Sequence, residues 1–143
     1  EVDTEAIPYE LHKARVAREG SDVTLAAYGP MVKVCLEAAA AAAEEGKSVE
    51  VVDLRSMSPI DFDGLQVSVE KTRRLVVVHE APVFLGTGAE IAARITERCF
   101  YHLEAPVLRV GGFHAPYPPA RLEDEYLPGL DRVLDAVDRS LAY

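Results

Sequence analysis

The stretch from Leu75 to Ile95, LVVVHEAPVFLGTGAEIAARI, limits the fold more than any other part of the chain. Its run Leu75-Val76-Val77-Val78 lacks the alternation of a half-exposed strand, so it predicts a short strand buried on both faces. The polar pair His79-Glu80 closes that run, and a loop follows. Beyond the loop, Ile91, Ile95 and Cys99 recur at helical spacing and predict a helix lying against a sheet. Thr87-Gly88-Ala89-Glu90 fits a capping box, with Thr87 as N-cap and Glu90 reaching back to it. Strand, loop and helix in that order make a unit of an α/β domain. Ligands and partners of such sheets meet the carboxyl ends of the strands, where His79 and Glu80 fall.

The flanking sequence alternates in the same way. Ala14 to Arg18 predicts a short strand, Gly20-Ser21-Asp22 a turn, and Val23 to Ala27 a second strand. So tight a turn predicts an antiparallel pair, with the first strand at the sheet edge and Arg15 and Arg18 protecting its outer side. Pro30 opens a helix that runs to about Glu45, with Val32, Cys35, Leu36, Ala39 and Ala43 on one stripe and Gly46 as its stop. Six alanines, Ala38 to Ala43, make that helix thin enough to approach a sheet closely. Val49 to Val52 predicts a third strand, and Asp61 caps a helix over about Phe62 to Thr72 that buries Phe62, Leu65 and Val69. Val107 to Val110 predicts the last strand. Phe113 to Arg121 is a loop stiffened by Pro116, Pro118 and Pro119, and it carries His114 and Tyr117. A final helix, Leu130 to about Ala142, turns Leu130, Val133, Leu134, Val137 and Leu141 inward.

This order predicts a three-layer α/β/α domain over residues 14–143. Its sheet is five-stranded and mostly parallel, with one antiparallel edge strand. Residues 1–13 carry no period and include Pro8, so they read as a linker from a preceding region that this chain lacks; the start Glu1-Val2-Asp3 has no initiator Met. With 143 residues, 49% of them hydrophobic, the chain can bury one core and no second domain. The net charge of -9 opposes nucleic-acid binding, which needs Lys and Arg to displace counterions, and no window has the apolar length of a membrane span. Cys35 and Cys99, the only cysteines, fall on apolar helix faces and read as reduced core residues of a cytoplasmic protein.

Several chemistries fail on spacing. Gly86-Thr87-Gly88 supplies only two glycines of a dinucleotide fingerprint, Ile91 stands at the third position, and there is no Walker pattern. His79-Glu80 could begin a zinc motif, but Val83 occupies the place of the second histidine. No serine sits in a nucleophile elbow and neither cysteine lies at a strand-to-helix turn. Of the four histidines, His12 lies in the linker and His102 at a helix C-terminus, a favourable dipole contact. For His79 and His114 two readings stand side by side: a histidine hydrogen-bonded to backbone, or a functional base.

Three groups of residues carry a resemblance. Gly20-Ser21-Asp22-Val23-Thr24-Leu25 with Tyr28-Gly29, then Asp53-Leu54-Arg55-Ser56-Met57-Ser58-Pro59-Ile60-Asp61, then His79-Glu80-Ala81-Pro82 with Gly88-Ala89-Glu90-Ile91, resemble the C-terminal domain of transketolase-like enzymes. The chain is most similar there to the beta subunit of thiamine-diphosphate-dependent 2-oxoacid dehydrogenases. His79-Glu80-Ala81-Pro82, Leu103-Glu104-Ala105-Pro106 and Pro116-Tyr117-Pro118 look like the branched-chain type, where pyruvate-type subunits have Glu-Glu-Gly at the first of these.

The resemblance implies an oxidoreductase in which an alpha subunit and the N-terminal half of the beta subunit bind thiamine diphosphate and magnesium. It places no catalytic, cofactor-binding or metal residue in this fragment, which is expected to be inactive alone. What it implies for the fragment is assembly: contact with the alpha subunit and a second beta subunit, and docking of the acyltransferase core through its small basic subunit-binding domain. An acidic surface suits a basic module. Tyr143, as a terminal aromatic residue, leads the candidate partner contacts, with His79, Glu80, His114 and Tyr117 beside it. The alternatives are a pyruvate dehydrogenase beta subunit, the equivalent domain of a transketolase or deoxyxylulose-phosphate synthase, and a free-standing module binding an anion at the helix N-terminus near Thr87.

Overall fold

The computed structural model describes residues 10–143. Five strands, β1 (Arg15–Arg18), β2 (Val23–Ala27), β3 (Val49–Asp53), β4 (Leu75–Pro82) and β5 (Leu108–Gly112), form one sheet in the order β1-β3-β2-β4-β5. β3-β2, β2-β4 and β4-β5 pair in parallel and β1 pairs with β3 antiparallel. Helices α1 (Met31–Glu44) and α5 (Leu130–Leu141) cover one face, and α2 (Phe62–Thr72) and α3 (Thr87–Cys99) the other. This is the three-layer α/β/α domain with one antiparallel edge strand that the sequence predicts. The expected linker 1–13 is described only from Glu10; its first nine residues lie outside the described residues.

Burial follows the pattern of the strands. All five residues of β2 are buried, and so are Leu75 to His79 of β4, as central parallel strands covered on both faces must be. One cluster joins Val23, Leu25, Val51, Val76 and Val78 to Cys35, Val133 and Val137; a second joins Ala26, Val52, Leu75 and Val77 to Phe62, Leu65, Ile91 and Ile95. Both cysteines are free and buried. Burial pushes the Cys35 thiol up to about 12, so it behaves as a small hydrophobe.

Local signals set most helix ends. The Asp61 carboxylate accepts from the Gly64 N–H at 3.1 Å, capping α2, and from the Ala14 N–H at 3.1 Å, which ties the start of the domain to that helix. Burial alone would raise the Asp61 carboxyl, but the two amides and Lys13 hold it below its ordinary value. At the end of α1, Gly46 takes a φ of 79° while Lys47 N–H reaches Ala42 O and Gly46 N–H reaches Ala43 O, a Schellman motif that needs a residue free to be left-handed.

Four expectations fail, each for a visible reason. β1 does not form a hairpin with β2, because both sides of β2 are taken by β3 and β4. The Gly20-Ser21-Asp22 turn instead climbs over the start of β3: Ser21 and Asp22 N–H both donate to Ser48 O, and Ser48 N–H donates to the Asp22 carboxylate. A Cβ on Gly20 would overlap the Val49 and Glu50 backbone, so the crossing needs glycine. Arg15 pairs with Asp53 at 3.5 Å on the neighbouring strand. The buried stripe of α1 is Met31, Cys35, Ala38, Ala39 and Ala42, one step round from the expected one, and Ala43 is exposed. Leu130 of α5 is 38% exposed, its inward positions being Val133, Ala136, Val137 and Ser140. Finally, the expected loop from Phe113 to Arg121 closes early: a 3₁₀ turn, Ala120–Leu122, takes its end and leads into the single-turn helix α4, Glu123–Tyr126.

Candidate functional site

β4 runs four residues past its apolar run, to Pro82, and its carboxyl end is the most elaborate part of the molecule. His79 lies there with no exposed surface. Its Nδ1 is 2.8 Å from Ala81 O; a carbonyl only accepts, so Nδ1 carries the proton and Nε2 is the bare nitrogen. Nε2 is buried without a hydrogen-bond partner among the described residues. Three glycines close around the ring. A Cβ on Gly86 or Gly111 would lie 2.9 Å from Cε1, and one on Gly88 would overlap Nε2 and lie 2.8 Å from Cδ2. On another side the Tyr28 ring stacks at 6.4 Å and 22°.

The glycines therefore serve the imidazole. The expected capping box is absent: α3 takes Gly86 as its N-cap with no side-chain bond, and Thr87 lies one residue further in. With His79 filling the space beside Gly86 and Gly88, these backbones do not fit a diphosphate cradle. Among the described residues no group of three or more His, Cys, Asp or Glu could hold a metal ion. Burial, aided by the nearby Arg109 charge and opposed by the Ala81 carbonyl, holds His79 below its ordinary value. The neutral ring is the folded form. Acid protonates the unfolded chain first, so stability is full above the ordinary histidine value of 6.5 and falls as pH drops below it, levelling off once the folded ring also titrates. Thermal melting from pH 7.5 to 5.5 measures this, and a His79→Gln variant is expected to flatten the slope in that window.

His79, a candidate partner contact on sequence grounds, thus sits inside the domain and supports α3 from behind. Glu80 emerges on the other side of the pleat. It is half-buried and lines a 370 Å³ cavity with Ala81, Pro82, Ala115, Tyr117 and Tyr126. Tyr126 is the pivot of that wall. Its hydroxyl donates to Phe113 O at 3.1 Å, its ring lies against Gly112, and Tyr117 crosses it edge-on at 5.3 Å. Arg132 of α5 holds the same loop, donating to Gly111 O and, at 3.4 Å, to Tyr126 O, with its guanidinium 4.7 Å from the Phe113 ring centre. Burial and the Glu123 and Glu80 carboxylates push the Tyr117 phenol above its ordinary value.

His114, the third loop candidate, packs on Phe84 at 4.5 Å. Phe84 and Leu85 form the tip of the β4-α3 loop, 59% and 86% exposed, and Leu85 has a φ of 55°, a left-handed conformation that costs a non-glycine residue about 1 kcal/mol or more. The structure thus brings Glu80 of β4 and Tyr117 of the loop after β5 to one cavity, while His114, on the same loop, packs on Phe84 instead. Tyr143 is elsewhere: α5 ends beside the start of β4, where Arg74 donates to Ser140 O, and Tyr143 is 72% exposed there with Arg139. Phe84, Leu85 and Phe113 were not singled out in the sequence, although neither Ala81 to Ala89 nor Val110 to Ala120 contains an Asp, Glu, Lys or Arg.

Comparison with known proteins gives a consistent result. The family model of the transketolase C-terminal domain matches residues 12–133. The chain is 57% identical, over all 143 residues, to the pyruvate dehydrogenase E1 component subunit beta of Leifsonia xyli subsp. xyli, of which it covers 42%. It is 52% identical, over 98% of its length, to the 3-methyl-2-oxobutanoate dehydrogenase subunit beta of Mycobacterium tuberculosis, covering 40% of that protein. Among solved structures, a split-gene transketolase described as an inactive beta4 tetramer matches 99% of this chain and 45% of its own, with a TM-score of 0.82 and 32% identity. The chain spans about two fifths of the length of the curated relatives it matches. On the family match, the sheet order and the helices on both faces, the chain belongs to the transketolase C-terminal domain family.

Proposed function

We propose that this domain is the C-terminal assembly and docking domain of the beta subunit of a 2-oxoacid dehydrogenase of the branched-chain type. The whole enzyme oxidatively decarboxylates a 2-oxoacid and passes the acyl group to lipoyl-lysine of the acyltransferase core. Thiamine diphosphate and magnesium are bound outside this domain, whose own work is contact with the alpha subunit, a second beta subunit and the basic subunit-binding domain of the core. One observation carries the assembly role: Phe84, Leu85, Phe113 and Tyr117 are all more than half exposed on two uncharged loops of a chain with net charge -9. The similarity of nearly all of this chain to parts of dehydrogenase beta subunits, at 57% and 52% identity against 32% for the split-gene transketolase, favours a dehydrogenase. An anion module is disfavoured, since the first turn of α3 is filled from behind by His79.

The branched-chain reading rests on His79-Glu80-Ala81-Pro82, Leu103-Glu104-Ala105-Pro106 and Pro116-Tyr117-Pro118, and the Mycobacterium relative supports it. The Leifsonia relative, named a pyruvate enzyme, favours the second reading. The test is kcat/KM of the whole enzyme, reconstituted with its alpha subunit, on 3-methyl-2-oxobutanoate and on pyruvate. At least a tenfold preference for the branched acid is expected. The reverse preference establishes the pyruvate type, and turnover of neither acid defeats the dehydrogenase reading.

A further inference from the structure

β5 is an edge strand whose first half is open. It pairs with β4 alone, in a regular ladder from Leu108 to Val110. Gly112 O accepts from Val83 N–H on the β4 side, while Gly111 O accepts from Arg132 on the other, so successive residues turn their backbone groups to opposite edges. Two residues before Gly111, Arg109 therefore turns its N–H and C=O outward, and no strand meets them among the described residues. A charged side chain can guard such an edge, but that of Arg109 reaches instead to Val83 O at 3.2 Å. What remains is a template for another strand.

Space flanks this edge on both faces of the sheet. On the α5 face a groove of 460 Å³ runs beside Leu108 and Val110 and is bounded by Asp131, Asp135 and Arg139. On the α3 face a groove of 760 Å³ takes in the exposed Phe100 with Ala92, Ala93 and Thr96. Both grooves reach Val107, just before the strand. A strand added to β5 sets its side chains alternately into one groove and the other. The α5 wall is polarised along its length. Asp131 lies at its start and, among the described residues, takes part in no salt bridge. Arg139 lies at its end, with the exposed Asp135 at 3.5 Å.

We propose that β5 pairs antiparallel with β5 of a second copy of this chain, about a two-fold axis at Leu108, joining two five-stranded sheets into one continuous sheet. The proposal rests on the assembly reading above and locates its contact between beta subunits. Charge fixes the axis. Centred on Arg109, the pairing would set two guanidinium groups opposite each other, and at Gly111 the carbonyl is already taken by Arg132; centred on Leu108, it sets Arg109 opposite Val107 of the copy. The same two-fold runs α5 antiparallel to its mate, so each Asp131 approaches Arg139 of the other copy. On the opposite face the small Ala92, Ala93 and Thr96 let the two α3 helices close over Phe100. The match is local and holds against the net charge of -9, because the α5 wall sets Asp131 and Asp135 against Arg132 and Arg139. A foreign strand would find the same backbone groups without the reversed order of charge.

The test uses the full-length beta subunit with its alpha subunit. Leu108→Cys places two thiols across the axis, where facing Cα atoms of an antiparallel pair lie about 4.5 Å apart, within reach of a disulfide. Mild oxidation is expected to link these beta subunits in pairs at least about fivefold better than it links Val67→Cys, an exposed position on α2. The native Cys35 and Cys99 are buried and stay out of the reaction. If Leu108→Cys links no better than Val67→Cys while sedimentation shows paired beta subunits, the β5 edge is wrong and the assembly reading stands. If the beta subunits neither pair nor hold the alpha subunit, the assembly reading itself fails. Should Leu108→Cys fold poorly by circular dichroism, exposed charges decide. Arg139→Asp is expected to weaken beta–beta association about tenfold at low salt, and adding Asp131→Arg to bring it back within about threefold of wild type. An Arg139→Asp protein that associates like wild type, or a double variant no better than the single one, overturns the pairing. Loss of alpha–beta contact in Arg139→Asp with beta–beta contact unchanged would overturn the choice of a second copy.

Discussion

Gly88→Ala is expected to destabilise the domain by about 3 kcal/mol, the upper end of what overpacking a core normally costs. The new methyl would overlap His79 Nε2, and the ring has nowhere to retreat, because Gly86 and Gly111 already touch its Cε1 edge and Ala81 O holds Nδ1. Alanine is the better helix former, and at an exposed position the same change would stabilise a helix by up to about 1 kcal/mol. Here the clash decides. Urea unfolding measures the loss, and a double-mutant cycle with His79→Ala identifies its cause: once the ring is gone the methyl has room, so a coupling of about 2 kcal/mol is expected. A Gly88→Ala protein within about 1 kcal/mol of wild type would show that the glycine cage is not a constraint.

The second large effect lies at the opposite end of the sheet. Glu50 of β3 has no exposed surface, and among the described residues its one cation is Lys71, which also reaches Glu19. Gly20 N–H approaches the same carboxylate at 3.4 Å, and the second Glu50 oxygen has no partner among the described residues. Lys71→Met leaves a buried negative charge with almost nothing to balance it. Breaking a fully buried pair costs about 3–5 kcal/mol, but Lys71 is 43% exposed and water can follow the shorter side chain in, so a loss of about 2–3 kcal/mol is expected. Adding Glu50→Gln removes the charge and is expected to restore at least half of that loss. If the single variant matches wild type in urea, Glu50 is balanced by something other than Lys71.

The contrast between these sites and the rest of the fold shows what kind of information a sequence carries openly. Leu75 to Val78 and Val23 to Ala27 announce buried strands by composition alone, and Asp61 announces its cap because the capping contact is three residues away. These are local contacts. The partner of β1 was not legible, because Ser48 and Asp22 decide it across 26 residues of chain. The motif Thr87-Gly88-Ala89-Glu90 satisfied every local rule for a cap and was displaced by one residue, since a side chain eight positions upstream of Thr87 occupies the space around the glycines. Glu80 and Tyr117 could each be picked from position in the chain, but only the pairing of β4 with β5 shows that they share one cavity. The same pairing separates both from Tyr143, which the end of α5 carries to the other end of β4.

The edge position of β1 has a mechanical meaning. In the sheet β1 bonds to β3 alone, through a short ladder from Arg15↔Asp53 to Arg18↔Val51, while β3, β2, β4 and β5 pair without it. Just ahead of β1, Glu10 O and Lys13 O are gripped by Arg55, and Lys13 and Ala14 by Asp61. Tension on the chain before residue 10 therefore meets this clasp first and the four-residue ladder second. The four-stranded parallel core bears load only after both have opened, so β1 acts as a fuse that yields while the surface of Glu80 and Tyr117 keeps its shape.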